Sequence, residues 1–319
     1  MNPLNRLLQG FQKKREERES LETTIEEIVD IADPSIRRAG HYQRLLRQPV
    51  QEASSYCAEI IGKIPGPVRL SKQSYSSEPE IRALFAKAED VEVLLKNSPD
   101  VEVLRRSGFR GDAIGLLTMD KEEKTVFGHE KHGELIQRDV VQHTVNFSGH
   151  RIVSPSPDLD QARAGMVHRG LEVLATVAME NITNLRAEIS DLRQKRDYLA
   201  GFIQILNGRS NLHSRFATPD PEMLEELEKA KTSKAKVEAE LEKRLEDLSY
   251  PKDALRHLSD VMLKPSSSLT MGSITLRLNW MNVRVDEKSE EGSNAITLAE
   301  ISLAERLHRY GIFVVLHVE

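Results

Sequence analysis

The stretch that decides the fold is residues 182–206, which read ITNLRAEISDLRQKRDYLAGFIQIL. Apolar residues recur in this stretch at alternating spacings of three and four, the heptad spacing of a coiled-coil helix. Upstream, between Leu171 and Met179, additional apolar residues widen the stripe, which indicates burial in a core. The heptad core positions are Ile182, Leu185, Ile189, Leu192, Arg196, Leu199, Ile203 and Leu206.

A second heptad segment covers residues 223–248, after the fifteen-residue connection NGRSNLHSRFATPDP. The two segments are nearly equal in length, about 37 to 39 Å at 1.5 Å per residue, as the arms of a helical hairpin should be. We therefore expect an inserted coiled-coil hairpin. The core positions of the second segment are Met223, Leu227, Ala230, Lys234, Val237, Leu241, Arg244 and Leu248.

The alternative to the hairpin is a coiled coil between two copies of the chain. Arg196 would face its own copy in a parallel dimer, whereas an antiparallel partner could bring Glu225 or Glu228 within reach of it. Glu188 and Arg193, however, have the spacing of an ion pair in a parallel dimer. We favour the hairpin, and both arrangements stay open at this point.

The remainder of the chain predicts an α+β fold that is predominantly helical. Helices are predicted over residues 3–31, 36–61, 99–108 and 252–263, and an apolar stripe at helical spacing runs from Ile81 to Leu95. Residues 1–63, 64–157, 158–248 and 249–319 are the predicted domains: an N-terminal helical segment, an α+β part of the body, the long helix with its hairpin, and strands that complete the body.

Short antiparallel strands are predicted on either side of the helical hairpin. AIGLLTM (113–119), KTVFG (124–128), DVVQHTVNF (139–147) and HRIV (150–153) have strand patterns, with a hairpin turn at Ser148–Gly149. At the C-terminal end, alternation runs from Ile274 to Trp280, and an acidic loop separates it from residues 295–304 and 312–318. A turn is predicted at 308–311.

Charge patterning argues against a dedicated nucleic-acid-binding protein. The net charge is −5 and the pI is near 6.1, and fifteen aromatic residues offer few platforms for base stacking. Residues 19–33 contain six acidic side chains and no basic one, whereas residues 35–50 contain four arginines and no acidic side chain. We therefore expect these two blocks to pair with each other.

Composition also bounds location and partners. The lone cysteine, Cys57, forbids an intramolecular disulfide and suits a reducing compartment, and no transmembrane span or signal sequence is recognisable, so we expect a cytoplasmic protein. The N-terminal stripe of Leu4, Leu7, Leu8 and Phe11 is expected to dock on another helix, with contact to an anionic membrane surface as its alternative.

Catalytic chemistry has one candidate. Nucleotide-binding glycine loops, the nucleophile-elbow pattern, HExxH and EF-hand loops are absent from the sequence, so no cofactor is expected. His129, His132, His143 and His150 are the candidate ligands of a zinc ion, with Glu130 or Glu134 as the base. Structural roles for these histidines are the preferred interpretation.

The sequence therefore favours a non-catalytic assembly or adaptor protein that engages a protein partner or itself through the coiled-coil arm. The alternative is an enzyme or ligand-binding protein with a metal site at the four histidines. The predicted interaction seam consists of Ile182, Leu185, Ile189, Leu192, Leu199, Ile203, Leu206, Leu227, Val237, Leu241 and Leu248.

Overall fold

A computed structural model of the chain describes residues 19–132, 135–216, 221–285, 293–304 and 307–319, without the side chains of residues 129–138 and 213–216. The predicted N-terminal stripe at Leu4, Leu7, Leu8 and Phe11 lies outside these residues, as does most of the predicted acidic loop. The fold is 60% helical, with 26% of residues in strands of an antiparallel sheet. The predicted α+β, predominantly helical class is therefore confirmed.

Two compact units make up the described chain. One comprises the described part of Met1–Val50 together with Glu172–Leu263, and the other comprises Gln51–Leu171 and Lys264–Glu319. The four predicted domain ranges, which follow composition along the chain, stay predictions.

The first unit is built from helices. Helix α1 covers residues 19–32 and is followed by a 3₁₀ helix, Pro34–Arg38. Helix α2 (Tyr42–Gly62) begins in this unit. Arg37 pairs with Glu26 and Asp30, and Arg47 pairs with Glu22, at N–O distances of 3.0, 2.6 and 3.3 Å. The acidic and basic blocks of the N-terminal region thus pair with each other, as predicted.

The second unit contains a six-stranded sheet. Its strands are β1 (Val68–Arg69), β2 (Gly111–His132), β3 (Leu135–Ser156), β4 (Leu269–Leu278), β5 (Asn294–Leu303) and β6 (Leu307–Val318). The order is β3-β2-β6-β5-β4, all antiparallel, and the short β1 adds to β6 in parallel. Strands from both sides of the predicted hairpin therefore join in one sheet, as the sequence predicted.

Short helices cover the sheet: α3 (Ser74–Ser77), α4 (Pro79–Leu84), α5 (Ala88–Asn97) and α6 (Pro99–Arg106). The central strand β6 reads IFVVLHV over residues 312–318, an almost continuous apolar run that suits a strand covered on both faces. Its Phe313 and Val314 are fully buried, and the core beside it includes Leu84, Phe85, Val91, Val101, Leu117 and Leu298.

Four local predictions about the strands are wrong. The predicted short strands 113–119 and 124–128 are parts of one 22-residue strand, β2, and 139–147 and 150–153 are parts of another, β3. Ser148–Gly149 is not a turn, because β3 runs through it; the register against β2 shifts there, and Gly149 takes a φ of +60° as the extra residue of a bulge. Residues 308–311 lie inside β6 rather than in a turn. Trp280 lies beyond the end of β4 and is exposed, because the Asn279 side chain accepts hydrogen bonds from Met281 and Val283 and closes a turn.

The long helices are α7 (Leu159–Phe216), α8 (Pro221–Asp247) and α9 (Pro251–Leu263). Helix α7 contains 58 residues and includes the whole first heptad segment. Helix α8 contains all but the last residue of the second segment. Both heptad segments and α9 therefore lie in helices as predicted, but the predicted connection 207–221 is wrong in extent, because residues 207–216 continue α7 and α8 begins at Pro221.

Candidate functional site

The residues of the predicted seam lie on the buried sides of α7 and α8. All eight heptad core positions between Ile182 and Leu206 are buried or half-buried, and so are the eight between Met223 and Leu248, whereas most residues between them are exposed. Heptad spacing predicts this alternation because positions a and d share one side of a helix. The deepest seam residues are Ile182, Ile189, Leu206, Leu227, Val237, Leu241 and Leu248.

Contacts along the seam place the C-terminal half of α7 beside α8 in the antiparallel direction. Arg244 on α8 pairs with Glu188 on α7 at 3.1 Å, and residues 206 and 209 share a cleft with residues 222–229 at the other end. Supercoiled knobs-into-holes packing needs more than these contacts, so the coiled-coil hairpin arm stays a prediction.

The charged residues of the two alternatives have other partners within this chain. Arg196 pairs with its own neighbour Asp197 at 2.7 Å and lines a cleft with Glu238, Leu241 and Glu242 rather than with Glu225 or Glu228. Glu188 pairs with Arg244, and its pairing with Arg193 of a second copy in a parallel dimer stays a prediction.

A second apolar stripe on α7 was missed by the sequence interpretation. Tyr198, Ile205 and Leu212 recur at steps of seven residues and are 71%, 55% and 62% exposed. Phe202 lies between the first two and stacks on Tyr198, with ring centroids 6.4 Å apart. At about 100° per residue, this outer stripe (Tyr198, Phe202, Ile205 and Leu212) lies about 120° around α7 from the seam. Its seven-residue spacing is visible in the sequence, but the longer apolar repeat of the seam on the same helix is the more prominent pattern.

The histidines proposed as metal ligands are spread along the hairpin of β2 and β3. His143 and His150 are seven positions apart on β3, about 23 Å at the rise of a strand, so one ion cannot bind both. The side chains of His129 and His132 lie outside the described ones. Among the described residues, no group of three or more His, Cys, Asp or Glu side chains could hold a metal ion.

His150 has a packing role in the second unit. Its ring stacks on Phe85 with centroids 4.3 Å apart, and its Nε2 is 2.7 Å from the carbonyl oxygen of Leu84. Burial lowers the pKa of His150, because the charged ring would lose solvation, so the neutral imidazole donates to that carbonyl. Its surroundings are those of a structural histidine, the interpretation preferred from the sequence.

Cys57 is buried on α2, and burial raises the pKa of its thiol to about 11. A thiol with that pKa is protonated at neutral pH and is a poor nucleophile. This environment is that of an unreactive structural cysteine.

Compared with known proteins, the chain matches no family model, no curated protein and no solved structure. None of the helices within the described ranges has the length and apolar character needed to cross a bilayer. The site must therefore be interpreted from its own geometry.

Proposed function

We propose that this chain is a non-catalytic assembly or adaptor protein whose α7–α8 pair binds a partner helix, supplied by another protein or by a second copy of the chain. The observation that carries the proposal is the outer stripe, in which three large apolar side chains are more than half exposed at heptad spacing. Apolar side chains repeated at this spacing are typical of a surface that a further helix covers.

The closed seam supports this choice of surface. The seam positions of α7 are already buried or half-buried, so an additional helix would find its apolar contacts on the outer stripe. Each of the three exposed side chains contributes up to about 1.5–3 kcal/mol when it becomes fully covered, and apolar anchors at helical spacing are how one helix docks against another surface. The protonated thiol of Cys57 suits a reducing compartment, so we also propose a cytoplasmic location.

The test is a double substitution in the outer stripe of the full chain, Tyr198→Glu with Ile205→Glu. Both side chains are exposed, so the fold should tolerate the change, while two carboxylates would oppose burial of the stripe. We expect loss of self-association in sedimentation analysis or, if the partner is another protein, selective loss of that protein in affinity capture from the source cells.

Gln204→Glu with Asn207→Glu is the matched control, because both residues are exposed on α7 away from the outer stripe. It adds the same charge to the same helix. Equal association and equal captured proteins for the stripe variant and the control would contradict the proposal.

A further inference from the structure

The first unit contains a cleft whose charge is entirely positive. Arg38, Arg186 and Arg193 line it together with three serines, and no carboxylate is among its lining residues. Its volume is about 380 Å³, within the usual size range of small-molecule sites. The other lining residues are Ser35, Ile189, Ser190, Leu245, Leu248, Ser249, Tyr250 and Pro251.

One of the three guanidinium groups is held in place by the protein. Arg186 forms a short ion pair with Asp33, a carboxylate that is only 5% exposed. Asp33 in turn accepts a hydrogen bond of 2.9 Å from the backbone of Ser35 and caps the 3₁₀ helix. Because an Arg side chain presents five N–H donors in a rigid fork, one carboxylate leaves donors of Arg186 available.

The other two arginines have no acidic partner within the described part of the chain. Arg38 and Arg193 are both exposed, and neither forms an ion pair with a described residue. Glu188, the acid that heptad spacing would give to Arg193, is bound by Arg244 instead. Like charges gathered at one cleft repel each other, and an anion shared between them offsets that repulsion.

The surroundings strengthen this preference for an anion. Ile189 and Leu248, both buried, form an apolar part of the wall, and an apolar wall keeps the local dielectric low. At the rim, Lys252 lies over the ring of Tyr250, 5.5 Å from its centroid, and adds a fourth cation near the cleft.

We propose that this arginine cleft (Arg38, Arg186 and Arg193 with Ser35, Ser190 and Ser249) binds the phosphoryl group of a small anion. A phosphate dianion accepts paired hydrogen bonds from guanidinium forks and can bridge several of them, whereas a divalent cation would be repelled. The cleft has room for one or two phosphoryl groups. This site is separate from the outer stripe, and its existence does not depend on the proposed function.

The experiment titrates the full chain with inorganic phosphate and, separately, with pyrophosphate in a calorimeter at low ionic strength. We expect saturable one-to-one binding, tighter for pyrophosphate if the cleft holds two phosphoryl groups. Arg38→Gln and Arg193→Gln should each weaken binding about ten- to a hundredfold, since one charge-assisted hydrogen bond is worth about 1.5–3 kcal/mol.

The matched control is Arg209→Gln, which removes the same charge from an exposed residue of α7 outside this cleft. Circular dichroism checks that each variant is folded, and either cleft variant suffices if the other is unstable. The proposal is overturned if neither anion gives saturable heat, or if the control weakens binding as much as the cleft variants do.

Discussion

At Asp253 a single carboxylate fixes the start of α9. The side chain is only 7% exposed and accepts hydrogen bonds from the backbone N–H groups of Tyr250 (2.8 Å) and Ser249 (3.0 Å). Burial by itself raises the pKa of this carboxyl, but the two backbone donors together with the charges of Arg256 and Lys252 outweigh it, and the net pKa lies below its ordinary value. The ionised form is thus the one that the fold stabilises.

Asp253→Ala should lower the free energy of unfolding by about 1–2 kcal/mol at neutral pH, the usual cost of losing a helix cap. Because the folded pKa lies below the unfolded one, this stabilisation is complete above about pH 4 and is lost as the pH falls through the folded value. Urea unfolding at several pH values measures it: the gap between wild type and variant should narrow below pH 4. A gap independent of pH would contradict the assigned role.

Between elements, Gly170 permits a close contact of α7 with α2 in the second unit. A Cβ placed on Gly170 would lie 2.9 Å from the Sγ atom of Cys57. At Gly201, also on α7, an added Cβ would meet no atom within 4 Å. The same substitution therefore has opposite consequences at two positions of one helix.

We expect Gly201→Ala to raise the free energy of unfolding by about 0.5–1 kcal/mol, because alanine is the better helix former. Gly170→Ala should lower it by about 1–2 kcal/mol, because overpacking outweighs that preference. Thermal unfolding of both variants tests this. Adding Cys57→Ala should recover the loss at Gly170, and a Gly170→Ala variant more stable than wild type would show that the contact relaxes freely.

The positions of helices and strands could be predicted from the sequence only in part. The seam on α7 and α8 could be located from its heptad spacing because a repeated period determines which side of a helix is buried. The hairpin turn predicted at Ser148–Gly149 is instead a bulge in β3, and the sequence does not separate the two because a glycine with positive φ is suited to both. Only the pairing of Asp120 with Ser148 distinguishes the two.

The candidate sites were less predictable than the elements. The outer stripe has a recognisable spacing in the sequence, but only the burial of the side chains in the structure shows which of the two stripes remains exposed. The arginine cleft has no sequence signature, since Arg38 and Arg193 are more than 150 residues apart and meet through tertiary packing. Side chains that are distant in sequence give no periodic signal.

For the whole molecule, net charge and local charge point in opposite directions. The chain carries −5 overall, yet the arginine cleft gathers three guanidinium groups with only Asp33 bound to one of them. A net negative charge argues against a broad nucleic-acid surface, but it is compatible with a small local anion site. Binding of a partner helix at the outer stripe, by contrast, depends on the apolar surface area that becomes buried.

These two surfaces should therefore respond differently to salt. Raising sodium chloride from about 0.1 M to about 1 M shortens the Debye length from about 10 to about 3 Å. We expect pyrophosphate binding at the arginine cleft to weaken severalfold over this range. Association through the outer stripe should persist, because burial of apolar area does not depend on charge.

Calorimetry and sedimentation of the same protein samples measure the two responses. Tyr198→Glu with Ile205→Glu should abolish association and leave pyrophosphate binding intact, and Arg193→Gln should do the reverse. If one variant removed both properties, the two surfaces would be coupled, and the assignment of separate roles to the stripe and the cleft would be wrong.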